Sequence, residues 1–478
     1  MKPRESDLER LQFRRALLIA ALAAAVVNFI AFYPGLLHHD AWAYFESSRK
    51  NNWTNWQPPL LGFLWYPLRW IHDGPQPMLV LFVAGYWAGY ALIANALRHE
   101  GRSLAWLTFA TAFFPLALNF NGQLIKDVSM GVCLLISAGL SAALISGAIR
   151  KRAIAVPFLW FFLVAGAFMR ANSLFGLPPL IDLALSATFK RWATMHIVKR
   201  TAVVCLLALA VAPAHLLADR NIFRVEDIKP MSQLQVFDLG GMTYFSGEDR
   251  FQGFFGPNFV ARNATCYTPR HWDVYGWMVG ERGCPEVYEK LKPDFGWPLS
   301  KLWLEGIAAD PLAYLTHRFA HANRFFQFLC KDCKESVFTG WQSGNQKEFT
   351  FEPTFLFTAI DAGAQAIHNS PFGPPYVWLL IALAWAWAAL GIPNDKTRVI
   401  IVSLALSGAM YALGFFVIGI AHEYRYIHWT LLCALIATPA VAMRVLFRSD
   451  VSPLYRLGPP LLIVAVMLFR EIMVRFAL

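Results

Sequence analysis

Asp40 and Glu46 lie six residues apart in HHDAWAYFE, just after the first long apolar run of the chain. Three cations stand at comparable places beside later runs: Lys126 in NGQLIKD, Arg170 in FMRAN and Arg425 in AHEYRY, with His422 three residues before Arg425. Charge at the end of an apolar segment is expensive unless it is paired or wet, so such residues are informative. A single arginine there is ordinarily an interfacial anchor, but three cations in three short connections point further. If these ends meet, they form a cationic pocket that faces at least one carboxylate. Arginine offers a phosphate bidentate hydrogen bonds and lysine offers it a point charge. A carboxylate opposite suits a general base that takes a proton from an attacking hydroxyl.

The elements that must position these groups follow from composition. Of 478 residues 57% are hydrophobic and only 15% charged, against roughly a quarter charged in soluble domains. The excess lies in about eleven apolar runs of spanning length, near 14–34, 76–97, 103–120, 128–149, 153–169, 174–188, 201–218, 375–391, 399–420, 427–446 and 457–474. The expected fold is an all-α integral membrane protein. The first run is expected to be a span and not a cleaved signal peptide. Lys and Arg gather in alternate connections (Arg14 and Arg15, Arg98 and Arg102, Arg150 to Arg152, Lys199 and Arg200, Lys396 and Arg398, Arg444 and Arg448). This predicts a cytoplasmic N-terminus. The net charge of +11 is this topology signal and does not point to nucleic acid. Lys126, Arg170 and Arg425 then sit at outward span ends, against the trend.

Three regions are expected: an N-terminal bundle over 1–218 with its first outward loop at 35–75, an extracytoplasmic α-rich insertion over 219–374, and a C-terminal bundle over 375–478. Within the first loop, 58–71 is too short to cross and reads as a helix lying in the interface. Cys266, Cys284, Cys330 and Cys333 all fall in the insertion, an even number suited to an oxidising compartment. Cys330 and Cys333 read as a structural disulfide, while the pairing of Cys266 with Cys284 stays open. The stretch 296–329 has helical spacing, with Pro298 and Pro311 where helices start.

Other candidates have plainer readings beside functional ones. Asp238 in QVFDLGG could cap a helix or hold a turn. Arg318 and His321 share a helix face and could touch an acceptor or solvate the helix, with solvation favoured. His422 and Glu423 are expected to pair with Arg425 or with lipid. Trp53, Trp56, Trp65 and Trp70 could stack on sugar rings, although an interfacial aromatic belt is the simpler explanation.

Taken in order along the chain, FYPGLLHHDAWAYFE, NWQPP, LIKD, RAN, SQLQVFDLGG, DPLAYLTHR and HEYRY resemble the polytopic glycosyltransferases of the GT-C superfamily. That group includes aminoarabinose transferases of lipid A, protein O-mannosyltransferases and oligosaccharyltransferases. The similarity is scattered over nearly the whole chain as short motifs. It implies an acidic catalytic residue in the first outward loop, which maps onto Asp40, with Glu46 as the second acid. It also implies a polyprenyl-phosphate sugar donor, whose phosphate would meet Lys126, Arg170, Arg425 and His422. His39, Asp238, Arg318 and His321 are candidates for acceptor contact or support. Many members carry two adjacent acids where this chain has His39-Asp40, which weakens the case for a metal held by paired acids; no cofactor is firmly predicted, and a divalent metal stays open without support from the sequence.

The expected activity is transfer of a sugar to an envelope glycan or glycolipid at the outer face of a bacterial inner membrane. The alternatives are a flippase or transporter of lipid-linked sugars and an O-antigen ligase-type transferase. A transporter would favour ionisable residues near the midplane and inverted repeats, and neither is visible in the sequence.

Overall fold

The computed structural model describes residues 7–278, 283–292, 297–331, 333–334, 337 and 348–476. Gly296, the first residue of the stretch read as helical, lies outside the described residues. Among the described residues the chain is all-helical, with only two isolated bridges, Leu36 with Gln123 and Thr54 with Glu226.

Seven described helices are long and apolar enough to cross a membrane: Asp7–Phe32, Gln76–Glu100, Lys126–Ser146, Arg152–Met169, Ile197–Phe223, Lys396–Ile418 and Tyr424–Leu446. Ser173–Thr188 and Pro375–Ala389 are shorter apolar helices. The protein is a multi-pass membrane protein. The expected third span is interrupted: helix Arg102–Ala110 passes through a 3-10 turn to an extended Phe114, and helix Pro115–Phe120 follows. Proline disfavours helical geometry in the residue before it, which accounts for the break. The last expected span is helix Gly458–Phe476, whose three charges, Arg470, Glu471 and Arg475, set it apart from the seven. The 58–71 stretch yields only the short helix Leu60–Leu68.

Local signals set the helix starts. Asp395 accepts the Arg398 N–H at 3.0 Å ahead of the span Lys396–Ile418. Asp310 accepts the Ala313 N–H at 2.9 Å, with Pro311 at the first helical position. One large apolar core runs through the bundle. A second core, around Phe237, Tyr275 and Val287, belongs to the insertion.

The basic connections gather at one end of the bundle. Arg14 donates to the Ala148 carbonyl, Arg152 to the Thr188 carbonyl at 3.0 Å, and Arg444 pairs with Glu100 and with Asp395. Lys126, Arg170 and Arg425 stand at the other.

Candidate active site

Asp40 is placed by the way the chain leaves its first span. Leu36 exchanges backbone hydrogen bonds with the 122–124 turn, its N–H to the Gly122 carbonyl at 2.9 Å and its carbonyl from the Leu124 N–H at 3.3 Å. A Cβ on Gly122 would collide with the Phe32 ring, so only glycine lets these two segments meet. This lashing sets the start of helix His39–Lys50 beside Lys126. His38 is extended and caps that helix, Nδ1 accepting the Asp40 N–H at 3.3 Å.

These span ends do meet. Arg425 Nη2 lies 2.8 Å from Asp40 Oδ2. Gln57 Nε2 donates to Asp40 Oδ1 at 2.7 Å, while Gln57 Oε1 accepts from Lys126 Nζ at 2.7 Å and from Tyr44 Oη at 3.0 Å. Arg425 also pairs with Glu423 and has Nε 3.9 Å from Asp127 Oδ2. Asp127 is in turn paired with Arg170. A ladder of charge thus runs Arg170, Asp127, Arg425, Asp40, Gln57, Lys126 across the ends of three spans and the first loop. Its deep end is sealed, since Arg170 and Asp127 are buried and Arg170 sits 4.3 Å over the Tyr426 ring. Asp40 and Lys126 are the half-buried end, and Glu423 is more exposed.

Electrostatics follow the geometry. Burial alone would raise the Asp40 carboxyl, but Arg425 and then Lys126 outweigh it and hold the group well below the usual carboxylate range. Burial, and then Arg425, push His38 down to about 4, so its ring is neutral and free to accept the cap bond.

Several sequence candidates lie elsewhere. Glu46 is on another face of the same helix and pairs with Arg49 at 3.5 Å and Lys50 at 3.4 Å. A six-residue step rotates a side chain well away on a 3.6-residue helix, which is why Glu46 and Asp40 are separated. His39 is exposed, and the histidine that meets Asp40 and Arg425 is His38, whose Nδ1 lies 3.4 Å from Arg425 Nη1. Arg170 spends its charge on Asp127. His422 stacks on His271, centroids 6.1 Å apart, beside the ladder. Of the four tryptophans, Trp65 is buried and donates to the Gly74 carbonyl at 3.2 Å, Trp70 is exposed, and Trp56 packs on Trp272 and Trp277.

Asp238, Arg318 and His321 form a second buried centre. Asp238 is neither a cap nor a turn residue: it lies within helix Met231–Ser246. It pairs with Arg318, accepts from Trp303 Nε1 at 2.8 Å and lies 3.1 Å from His317 Nε2. Tyr267 Oη is 2.9 Å from His317 Nδ1. Arg318 and His321 do not solvate their helix; both are fully buried. Arg318 donates to the Gly419 carbonyl at 2.7 Å, and His321 Nδ1 lies 2.8 Å from the Pro269 carbonyl. A Cβ on Gly241 would strike the His317 ring, which explains the glycine in DLGG. This centre fastens the insertion to the chain just before Glu423 and Arg425.

Sequence reasoning missed Gln57, Tyr44 and Asp273. Gln57 lies in the quoted NWQPP motif, but a loop glutamine carries no signal of its own. Asp273 faces the site from the insertion, 3.6 Å from His271. Burial, and then the charge of Glu423, raise its carboxyl to about 6. In the insertion Cys266 is bonded to Cys284 and Cys330 to Cys333. Among the described residues no group of three His, Cys, Asp or Glu side chains is arranged to hold a metal ion.

No protein-family model and no curated protein matches the chain. Among solved structures it is similar to the archaeal oligosaccharyltransferase AglB from Archaeoglobus fulgidus, in complex with an inhibitory peptide and a dolichol-phosphate. The identity is 12%, the TM-score 0.38, and the match covers 98% of this chain and 56% of that one. It is also similar to ArnT from Cupriavidus metallidurans bound to undecaprenyl phosphate, at 15% identity and a TM-score of 0.31, over 96% of this chain and 88% of that one. The chain thus spans little more than half the length of the archaeal protein. Both scores are too low to bear on the chemistry, which rests on the chain's own residues.

Proposed function

We propose that the protein is an inverting glycosyltransferase of GT-C type that moves a sugar from a polyprenyl-phosphate donor to a hydroxyl of an envelope glycan or glycolipid at the outer face of the inner membrane. The observation that carries this reading is the pairing of Asp40 with Arg425 and, through Gln57, with Lys126 at the half-buried end of the ladder. A base and two phosphate-seeking cations stand together at the ends of the spans.

In this reading the donor phosphate takes over Lys126 and Arg425. Asp40 then loses its counter-charges, and its affinity for a proton rises, which makes it a better base. Asp40 accepts the acceptor hydroxyl proton as that oxygen bonds to the anomeric carbon. The bond from the anomeric carbon to the phosphate oxygen breaks on the opposite face, and the polyprenyl phosphate leaves with one more negative charge. Lys126 and Arg425 stabilise that charge, each contributing about 2.7–4 kcal/mol by analogy with oxyanion-hole donors. Arg170 acts through Asp127, holding Arg425 in register.

The test is a mass-spectrometric profile of envelope glycans from a deletion strain complemented with wild type or with Asp40→Asn at matched membrane expression. Loss of one sugar-sized mass in both the deletion and the variant supports transfer. Full restoration by Asp40→Asn overturns it and moves the transporter reading ahead.

A further inference from the structure

The end of the bundle away from Asp40 contains a cavity of about 890 Å3 between helices Asp7–Phe32 and Gln76–Leu97 and the 147–151 turn. Helix Lys126–Ser146 has 21 residues, so Lys126 and Gly147 are separated by about 30 Å at 1.5 Å per residue. The cavity and the candidate active site therefore lie at opposite membrane faces.

Arg10, Arg14, Arg98, Arg150 and Lys151 line the cavity, and Asp7 is its only carboxylate among the described residues. Asp7 is almost fully exposed and lies 3.9 Å from Arg10. The deeper wall is apolar, with Leu17, Ala88, Ala91 and Leu92. Leu18, also on the wall, is 58% exposed on the outer side of the first helix, which opens the cavity toward lipid. Asn95 adds a buried side-chain carbonyl oxygen that has no hydrogen-bond partner among the described residues.

Basic residues alone at this end would be a topology signal. A topology signal needs neither an apolar-walled cavity nor a buried acceptor. The volume is within the roughly 300–1,000 Å3 of ligand sites, and basic pockets between spans hold anionic lipid headgroups. We infer that this cavity binds an anionic glycerophospholipid with a hydroxylated headgroup: phosphate against the arginines, a headgroup hydroxyl on Asn95, and acyl chain along Leu17, Leu18 and Leu92. This site is independent of the proposed transferase reaction.

The experiment uses the delipidated full-length protein in a neutral detergent, with phosphatidylglycerol, phosphatidylcholine of the same chains, or inorganic phosphate added at equal concentration. Native mass spectrometry counts bound lipid and a thermal scan reads the Tm. One phosphatidylglycerol should bind and raise the Tm, and the other two should not. Arg150 and Lys151 are exposed, so the double variant Arg150→Gln/Lys151→Gln leaves the bundle's packing in place. It should bind phosphatidylglycerol at least about tenfold more weakly, since each basic residue near the lipid surface contributes measurably. The control Lys190→Gln/Arg191→Gln, at the same end but off the cavity, should bind as wild type. Equal binding of phosphatidylcholine, a full effect from phosphate alone, an unaffected Arg150→Gln/Lys151→Gln variant, or equal loss in the control each overturns the inference.

Discussion

Arg425 Nη2 stands 2.8 Å from Asp40 Oδ2, so the proposed base and its nearest cation neutralise one another before any substrate arrives. The pairing sets the pH behaviour. With Arg425 and Lys126 outweighing burial, Asp40 stays ionised in the free protein far into the acid range. The acid limb of kcat/KM, which reports the free enzyme, should therefore fall below the ordinary carboxylate range. The acid limb of kcat, which reports the complex, should lie at higher pH, because bound phosphate has taken the cations. Coincident limbs in a pH-rate series would show that phosphate does not displace Asp40.

Removing the base itself should cost rate. Asp40→Asn keeps the shape and the Gln57 contact but cannot take the proton. Turnover should drop about 10²–10⁴-fold, while the protein still reaches the membrane at wild-type abundance, read by immunoblot beside the activity assay.

The two ends of the ladder should respond differently. Lys126→Gln removes a half-buried cation whose ammonium donates to the Gln57 oxygen, and should lower turnover about 10²–10³-fold with little change in Tm. Arg170→Gln takes the close partner from buried Asp127 and leaves it only the looser approach of Arg425 Nε at 3.9 Å, at a cost of up to about 3–5 kcal/mol in stability. The double variant Arg170→Gln/Asp127→Asn should recover much of that Tm. If Arg170→Gln instead keeps its Tm and loses only donor affinity, Arg170 is itself a phosphate ligand.

Much of the site was legible because its residues break a rule. Lys126, Arg170 and Arg425 oppose the basic-side pattern, and Asp40 follows a span directly. That anomaly survives without any knowledge of contacts. The finer assignment was not legible. His38 and His39 are equivalent as letters, and only the cap geometry separates them. Glu46 was grouped with Asp40 by nearness in sequence, although helical periodicity puts it on another face. Arg318 looks solvated until Asp238, on another helix, supplies the partner that permits its burial, and His321 until the Pro269 carbonyl does the same. The interrupted third span was foreshadowed by Pro115, but hydropathy averages over such breaks.

Asp273 offers a stability test with a definite sign. Its carboxyl is raised to about 6 by burial and then by Glu423. The folded state thus favours the protonated acid: its contribution is complete below the unfolded value and fades as pH rises through about 6. Asp273→Asn should raise the Tm at pH 8 and change it much less at pH 4. A variant that is equally stabilised at both values would refute the assignment.

The buried centre of the insertion should be unforgiving. Asp238→Ala leaves Arg318 charged and enclosed, at a cost of about 3–5 kcal/mol. The thermal midpoint of the detergent-solubilised variant reads this directly. Asp238→Asn, which keeps an acceptor for Trp303, should lose less.

Arg318 on the Gly419 carbonyl, together with the Trp272 N–H on the Ile420 carbonyl at 2.9 Å, gives the helices of the insertion and Arg425 a common mounting. From Gly419 and Ile420 only a few residues of backbone lead to Arg425. A scaffold built this way can be retooled at the rim of its outer part. Its root must stay as it is, because unseating the root would also move the cation that Asp40 faces.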